Sequence, residues 1–189
     1  MNRMIHVVNY QFKIPDDATV VNTTSRSKDF GRGLSPFLIG PCNLYDGYVS
    51  KNMENSWQFS KVYSEDLQQD GSVGEKYFKW AQEGWNDDFA YRYPKGKGAK
   101  PLFSYWAGQK LDYVEARKKI YIPLYSGTVR KTEAWKMLKN LYDEKKSIFL
   151  VDFDSHNLSN GIDYWTLWNN PNIKVGHAYV LAMMLEGII

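Results

Sequence analysis

Hydrophobic and polar positions alternate loosely over residues 5–14 (IHVVNYQFKI), the period-two pattern of a strand with one buried face. Residues 19–24 carry a second such stretch, and Pro15-Asp16-Asp17 supplies a turn between the two. The clearest strand is the apolar run SIFLVDF at 147–153, bounded by charged and turn-forming residues. Asp152 and Asp154 stand at its end, where strand-to-loop transitions commonly place site residues. Helical spacing shows elsewhere. A helix beginning near Asn52 puts Glu54, Gln58 and Lys61 at i, i+4 and i+7 on one face, with Trp57 at its border. Residues 75–84 read as a short helix carrying Tyr77, Phe78, Trp80 and Ala81 inward. Asp112 and Glu115 have capping-box spacing and open a helix with Ala116 and Ile120 on one face, which Pro123 is expected to end at about Ile122. Thr132 caps a following helix with Trp135, Leu138 and Tyr142 on one side, and a last helix is expected over 175–186. Residues 29–40 and 67–74 are rich in glycine and polar residues and read as loops. No internal repeat is present. The pattern predicts an α+β fold, helix-dominated, with a small sheet in one domain over 1–189.

Composition adds three constraints. Fourteen Tyr, nine Phe and seven Trp are many for 189 residues, and they supply both core and flat faces for stacking on bases or sugars. The net charge of +3 permits a phosphorylated or polymeric partner without requiring one. Cys42 is the sole cysteine, so no internal disulfide forms, and a reducing, cytoplasmic setting is expected. His6, His156 and His177 are too scattered to suggest a zinc site, so no metal and no cofactor is expected. Residues 1–14 lack the pattern of a signal peptide, and the apolar run 178–185 is too short to span a bilayer, so no membrane partner is expected.

Residues 92–101, RYPKGKGAKP, hold two glycines, two prolines and four cations, which no regular element accommodates. Such an irregular basic loop is able to hold an anion through its amides and through Lys97 and Lys100, or to be only a solvated loop. Trp106 follows shortly after, either as core or as a face for a leaving base.

Several of these landmarks recur together. Asp46-Gly47 precedes Met53-Glu54-Asn55-Ser56-Trp57-Gln58-Phe59-Ser60-Lys61; a Gly-basic segment leads to Pro101-Leu102 and Trp106; Arg117 lies in an apolar helix; and an acidic residue after a strand is followed by Gly176 and a helix containing Leu181 and Met183. In this order, over about residues 35–187, the chain resembles the NADAR superfamily, of which the YbiA-type proteins are a branch, and it looks most like a phage-encoded form. It departs from the pattern at Ser35-Pro36-Phe37, where the family has Ser-Asn-Phe, and at Asn55, where the family often has His. The family's Trp-Gly-Asp-Gly segment is not reproduced, and Asp163-Tyr164-Trp165 offers a competing position for the acidic residue.

The resemblance implies a YbiA-like domain that hydrolyses an N-glycosidic bond. Such a reaction passes through an oxocarbenium-like state and needs a carboxylate nearby. Glu54, Trp106 and Asp154 or Asp152 are then the expected catalytic residues, with Asp154 favoured over Asp152 as the freer of the two. Asn55, Gln58, Lys61, Lys97, Lys100 and Gly176 are the expected substrate-binding ones. Three functions fit. One is removal of ADP-ribose from a DNA base, which reverses a toxin-type modification in phage defence. The second is repair of ribosylated pyrimidines from riboflavin synthesis, and the third is a non-catalytic ADP-ribose-binding module. The expected partner is ADP-ribosylated DNA or an ADP-ribose-type small molecule, with no obligate protein partner.

Overall fold

The computed structural model describes residues 4–159 and 161–189. In chain order the regular elements begin with strands β1 (Met4–Val8), β2 (Val20–Asn22), β3 (Cys42–Asn43) and β4 (Val49–Ser50), then helix α1 (Met53–Gln58) and strand β5 (Lys61–Val62). Helix α2 (Glu75–Trp85) and the hairpin β6 (Phe103–Trp106) and β7 (Gln109–Leu111) follow. Next come α3 (Tyr113–Ala116), a π-helical stretch (Arg117–Tyr121), α4 (Ile122–Val129), α5 (Glu133–Glu144), β8 (Ser147–Val151), α6 (Tyr164–Asn169) and α7 (His177–Leu185). Helix exceeds strand, and the sheets are small, so the fold is α+β. The chain forms two compact units, residues 1–39 with 125–189, and residues 40–124.

In the first unit the strands are parallel in the order β1-β8-β2. The strands at 4–8 and 20–22 are therefore not partners across the Pro15-Asp16-Asp17 turn; β8 lies between them. A middle strand buried on both faces reads as a continuous apolar run rather than an alternating one. That is why Ile148, Phe149, Leu150 and Val151 are all buried. Helix α7 is apolar all round and buried from His177 to Met184, as expected of a core helix. Residues 29–40, read as loop, hold a 3-10 turn at Phe30–Leu34 whose Leu34 is fully buried.

Aromatic rings build the core of the second unit. Phe59, Val62, Tyr77, Ala81 and Trp85 form its centre, with Tyr45, Tyr48, Phe78, Trp80 and Tyr105 packed against them. A tight hairpin turn feeds this cluster. Asp46 and Gly47 both have positive φ, and Tyr48 N donates to Tyr45 O at 3.0 Å. Two adjacent residues in that region make the turn whose twist matches a hairpin, and glycine takes the second position without strain. The result carries β4 back along β3 and aims Tyr48 at Trp85.

One expected helix end is displaced. The capping box of Asp112 and Glu115 is formed, but the helix passes through Pro123 instead of stopping before it. Proline donates no hydrogen bond, and its ring crowds the carbonyl four residues back, here Lys119. A π turn accommodates this: Ile122 N donates to Arg117 O, five residues back, and the widened turn lets α4 continue.

Candidate functional site

Helix α1 is short, and its six residues are all buried. Asn52 caps it by accepting from Asn55 N at 2.8 Å. Glu54 is 6% exposed. A buried carboxylate needs hydrogen-bond partners, and one comes from a directed chain. Lys61 Nζ donates to Gln58 Oε1 at 2.7 Å, and Gln58 Nε2 donates to Glu54 Oε1 at 2.9 Å. An ammonium only donates, so Lys61 fixes which end of the Gln58 amide faces it and leaves the amide nitrogen for Glu54. The three residues meet as expected, but not along one helix. The helix ends at Gln58, and Lys61 reaches back from β5, where it pairs with Ser104.

An aromatic wall adjoins this chain. Lys61 Nζ lies 5.0 Å from the Trp57 ring centroid, and Trp57 packs edge-on against Tyr121 at 5.3 Å and tilted against Tyr113 at 6.3 Å. Tyr113 is 41% exposed, so the wall opens to solvent at one end. The guanidinium of Arg117 lies 4.0 Å from the Tyr113 ring centroid, and Arg117 is 2% exposed in the π-helical stretch. π turns are rare and recur at functional sites. Tyr113, Arg117 and Tyr121 did not stand out as site residues in the sequence, although their four-residue spacing after a capping box is a helical-face signal. Together these residues place a largely buried carboxylate and two cations beside packed aromatic rings, and charge interactions are stronger where water is excluded.

Asn55 is committed elsewhere. Its amide nitrogen donates to Gly84 O at 2.9 Å, Asp87 O at 3.4 Å and Phe89 O at 2.8 Å, while its carbonyl oxygen accepts from Tyr91 N at 2.9 Å. That clamp holds the turn after α2, and breaking it would strand the buried Gly84 carbonyl at about 1–3 kcal/mol, with part-buried groups beside it.

The basic loop divides into two parts. Lys95 is drawn back onto the protein, 3.2 Å from Asp66 Oδ1, 3.3 Å from Glu65 Oε1 and 4.5 Å over the Trp80 ring. The Gly96 and Ala99 amides close local turns onto Tyr93 O and Gly96 O, so they do not form the amide cradle considered from composition. Lys97 and Lys100 are exposed. Trp106 ends β6, half-buried, with its ring 4.9 Å from that of Tyr45.

The remaining expected residues lie in the other unit. Asp152 is 4% exposed and accepts from Phe153 N at 2.7 Å and Ala178 N at 3.2 Å. Its Oδ2 lies 3.1 Å from His177 Nδ1, and His177 Nε2 lies 2.8 Å from Thr23 O. Both ring nitrogens therefore face acceptors, an arrangement satisfied by an imidazolium against a carboxylate. Burial pushes the Asp152 carboxyl upward, but His177 and the two amides outweigh it and hold the carboxyl below its usual range. Gly176 caps α7, and a methyl group added there would run into the Asp152 carboxylate. Gly176 thus makes room for the ion pair. Asp154 is half-buried in the following turn, and its carbonyl accepts from Gly176 N at 3.1 Å. Asp163 is a helix cap, accepting from Thr166 N at 3.0 Å. His156 is held by Lys174 O at 2.6 Å.

No helix among the described residues is long and apolar enough to cross a membrane. No curated protein and no solved structure matches the chain. One family model does, over residues 2–163, and it is described as a family of unknown function, DUF6939. With that match covering most of its length, the chain belongs to the DUF6939 family.

Proposed function

We propose that the second unit is an N-glycosidase that removes ADP-ribose from a base of DNA, with Glu54 as its central carboxylate. The observation that carries this reading is the buried Glu54 held in one orientation by the Lys61–Gln58 chain beside Trp57. A carboxylate so placed stabilises positive charge developing on a ribose carbon, or takes a proton from the attacking water. Orientation is fixed before the substrate arrives, so little reorganisation is needed at the reacting centre. Tyr113 is the partly exposed ring at the open end of the wall, and Arg117 over it adds a positive charge. The NADAR resemblance supplies the bond type. Lys97 and Lys100, exposed on the basic loop, favour a substrate with several phosphates over a small nucleoside monophosphate.

Turnover on an ADP-ribosylated oligonucleotide, compared with a ribosylaminopyrimidine phosphate, tests the reading. The oligonucleotide is expected to have the higher kcat/KM; a better rate on the pyrimidine makes this a metabolite-repair enzyme, and release from neither removes the proposal. Salt supplies a second prediction. Binding of a modified single strand is expected to weaken with a log–log slope of about −0.7 per phosphate contact. Replacing Lys97 and Lys100 with Ala is then expected to flatten the slope by roughly 1.4. An unchanged slope removes both lysines from the binding surface.

A further inference from the structure

The segment after α2 carries the most exposed large apolar side chain among the described residues, Phe89 at 65%, and Tyr93 follows it at 43%. One exposed ring on a surface needs no explanation. Two on a segment that the protein fastens at three points do. Asn55 binds Phe89 O and Tyr91 N, Lys95 is drawn onto Asp66 and Glu65, and Leu102 N donates to Val62 O at 2.8 Å. Asp87 fixes the first turn, accepting from Phe89 N at 2.9 Å and from Tyr91 Oη at 2.8 Å. The Phe89 ring meets Tyr91 near edge-on at 4.8 Å, which leaves most of its surface to solvent. Cations interleave with the rings. The Arg92 guanidinium lies 5.6 Å from the Tyr93 ring centroid, and Lys97 and Lys100 stand exposed further along. Of the carboxylates on the segment, Asp88 is paired with Lys51 at 2.9 Å and Asp87 is taken up by the turn.

We propose that this segment docks a single strand of DNA, with bases on Phe89 and Tyr93 and phosphates on Lys97 and Lys100. A single strand presents flat base faces and phosphates together, and exposed rings among cations are complementary to both. A duplex keeps its base faces inside the stack, so it would engage the cations alone. An apolar protein partner would engage the rings and leave the lysines unmatched. Little dependence on base sequence is expected, since every base has a face to stack. The fastened backbone holds the rings out before a strand arrives, which reduces the ordering that binding costs. Asn55 follows Glu54 on α1, so the helix that carries the proposed reacting carboxylate also anchors the ring-bearing segment. The choice of DNA rests on the N-glycosidase reading above; the choice of a single strand rests on the rings and cations.

Binding of an unmodified strand tests this without turnover. A strand that binds while turnover is absent removes the Glu54 reading and leaves this one standing. A short labelled DNA strand of mixed sequence, titrated with the full chain and followed by anisotropy, is expected to bind saturably and more tightly than its duplex. Phe89→Ala and Tyr93→Ala are each expected to weaken it about fivefold or more, the scale of one lost stacked base. Their salt dependence is expected to match that of the wild type, because a ring releases no counterion, whereas the Lys97 and Lys100 variant flattens it. Phe89→Trp is expected to bind at least as tightly as the wild type, and Phe89→Leu, apolar but without a ring, to bind like the Ala variant. Equal thermal melts show that these exposed substitutions keep the fold. No saturable binding overturns the proposal. Equal affinity for strand and duplex, or affinity unchanged in both Ala variants, overturns it by leaving charge alone. Wild-type affinity in Phe89→Leu overturns stacking and makes the patch an apolar contact for a protein. Tighter binding of the matching RNA strand overturns the choice of DNA.

Discussion

Glu54→Gln is expected to retain the fold and to lose about 10²-fold or more in turnover on an ADP-ribosylated oligonucleotide, the scale of a lost catalytic carboxylate. The substitution keeps the volume of a side chain that is 6% exposed. The new amide presents its oxygen to Gln58 Nε2, so the hydrogen bond now measured at 2.9 Å has a replacement acceptor. What disappears is the negative charge. A neutral amide cannot balance an oxocarbenium-like centre or take a proton from water. The measurement is kcat for both proteins, with thermal melts to show that folding is equal. A kcat unchanged at equal stability takes Glu54 out of the mechanism, whatever the substrate proves to be. If KM alone rises, Glu54 binds substrate without acting on the reacting bond.

The second large effect is one of stability. Asp152→Asn is expected to destabilise the chain by about 3–5 kcal/mol, the usual cost of removing one partner from a buried ion pair. His177 Nδ1 then faces a neutral amide instead of a carboxylate, so what is lost is the opposite charge beside a buried imidazole. Asp154→Asn, half-buried in a turn, is expected to cost far less. Urea unfolding of both variants measures the difference. The pH dependence follows from the direction of the Asp152 shift. Its folded carboxyl lies below the usual value, so its contribution to stability is present above the unfolded pKa of about 3.9 and is lost as pH falls through the folded value. The wild type is therefore expected to lose more stability than Asp152→Asn on acidification below about pH 4. Parallel acid limbs for the two proteins would show that the pair carries no such energy.

These two carboxylates show why burial alone does not assign a role. Glu54 and Asp152 are buried to nearly the same degree. Asp152 is surrounded by an imidazole, two backbone amides and a glycine that leaves it room, which is the environment of a structural ion pair. Glu54 is held by a side-chain amide and adjoins an aromatic wall with an exposed end. The first arrangement stabilises the fold, and the second is the one to which the proposed reaction assigns its carboxylate.

By itself the sequence determined what depends on residues three or four apart. The helix start near Asn52, the caps at Asp112 and Thr132, the Asp46-Gly47 turn and a strand starting at Ser147 are where local spacing puts them, although that strand ends at Val151 and not at Phe153. Each rests on a hydrogen bond or steric preference within one turn of chain, so the nearby residues suffice. The tertiary structure alone decided the rest. β8 entered between β1 and β2, whose paired residues lie 143 and 129 positions earlier in the chain, because a strand that is apolar on both faces is stable only where both are covered. Lys61 met Gln58 from a strand, Lys95 was drawn away from the basic loop by Asp66, and Asn55 turned to the backbone beyond α2. Pro123 stayed within its helix because the turn before it widened. In each case the partner lies outside the local window, or several conformations satisfy the local signal equally well. Burial then selects among them, since it penalises every polar group left without a partner.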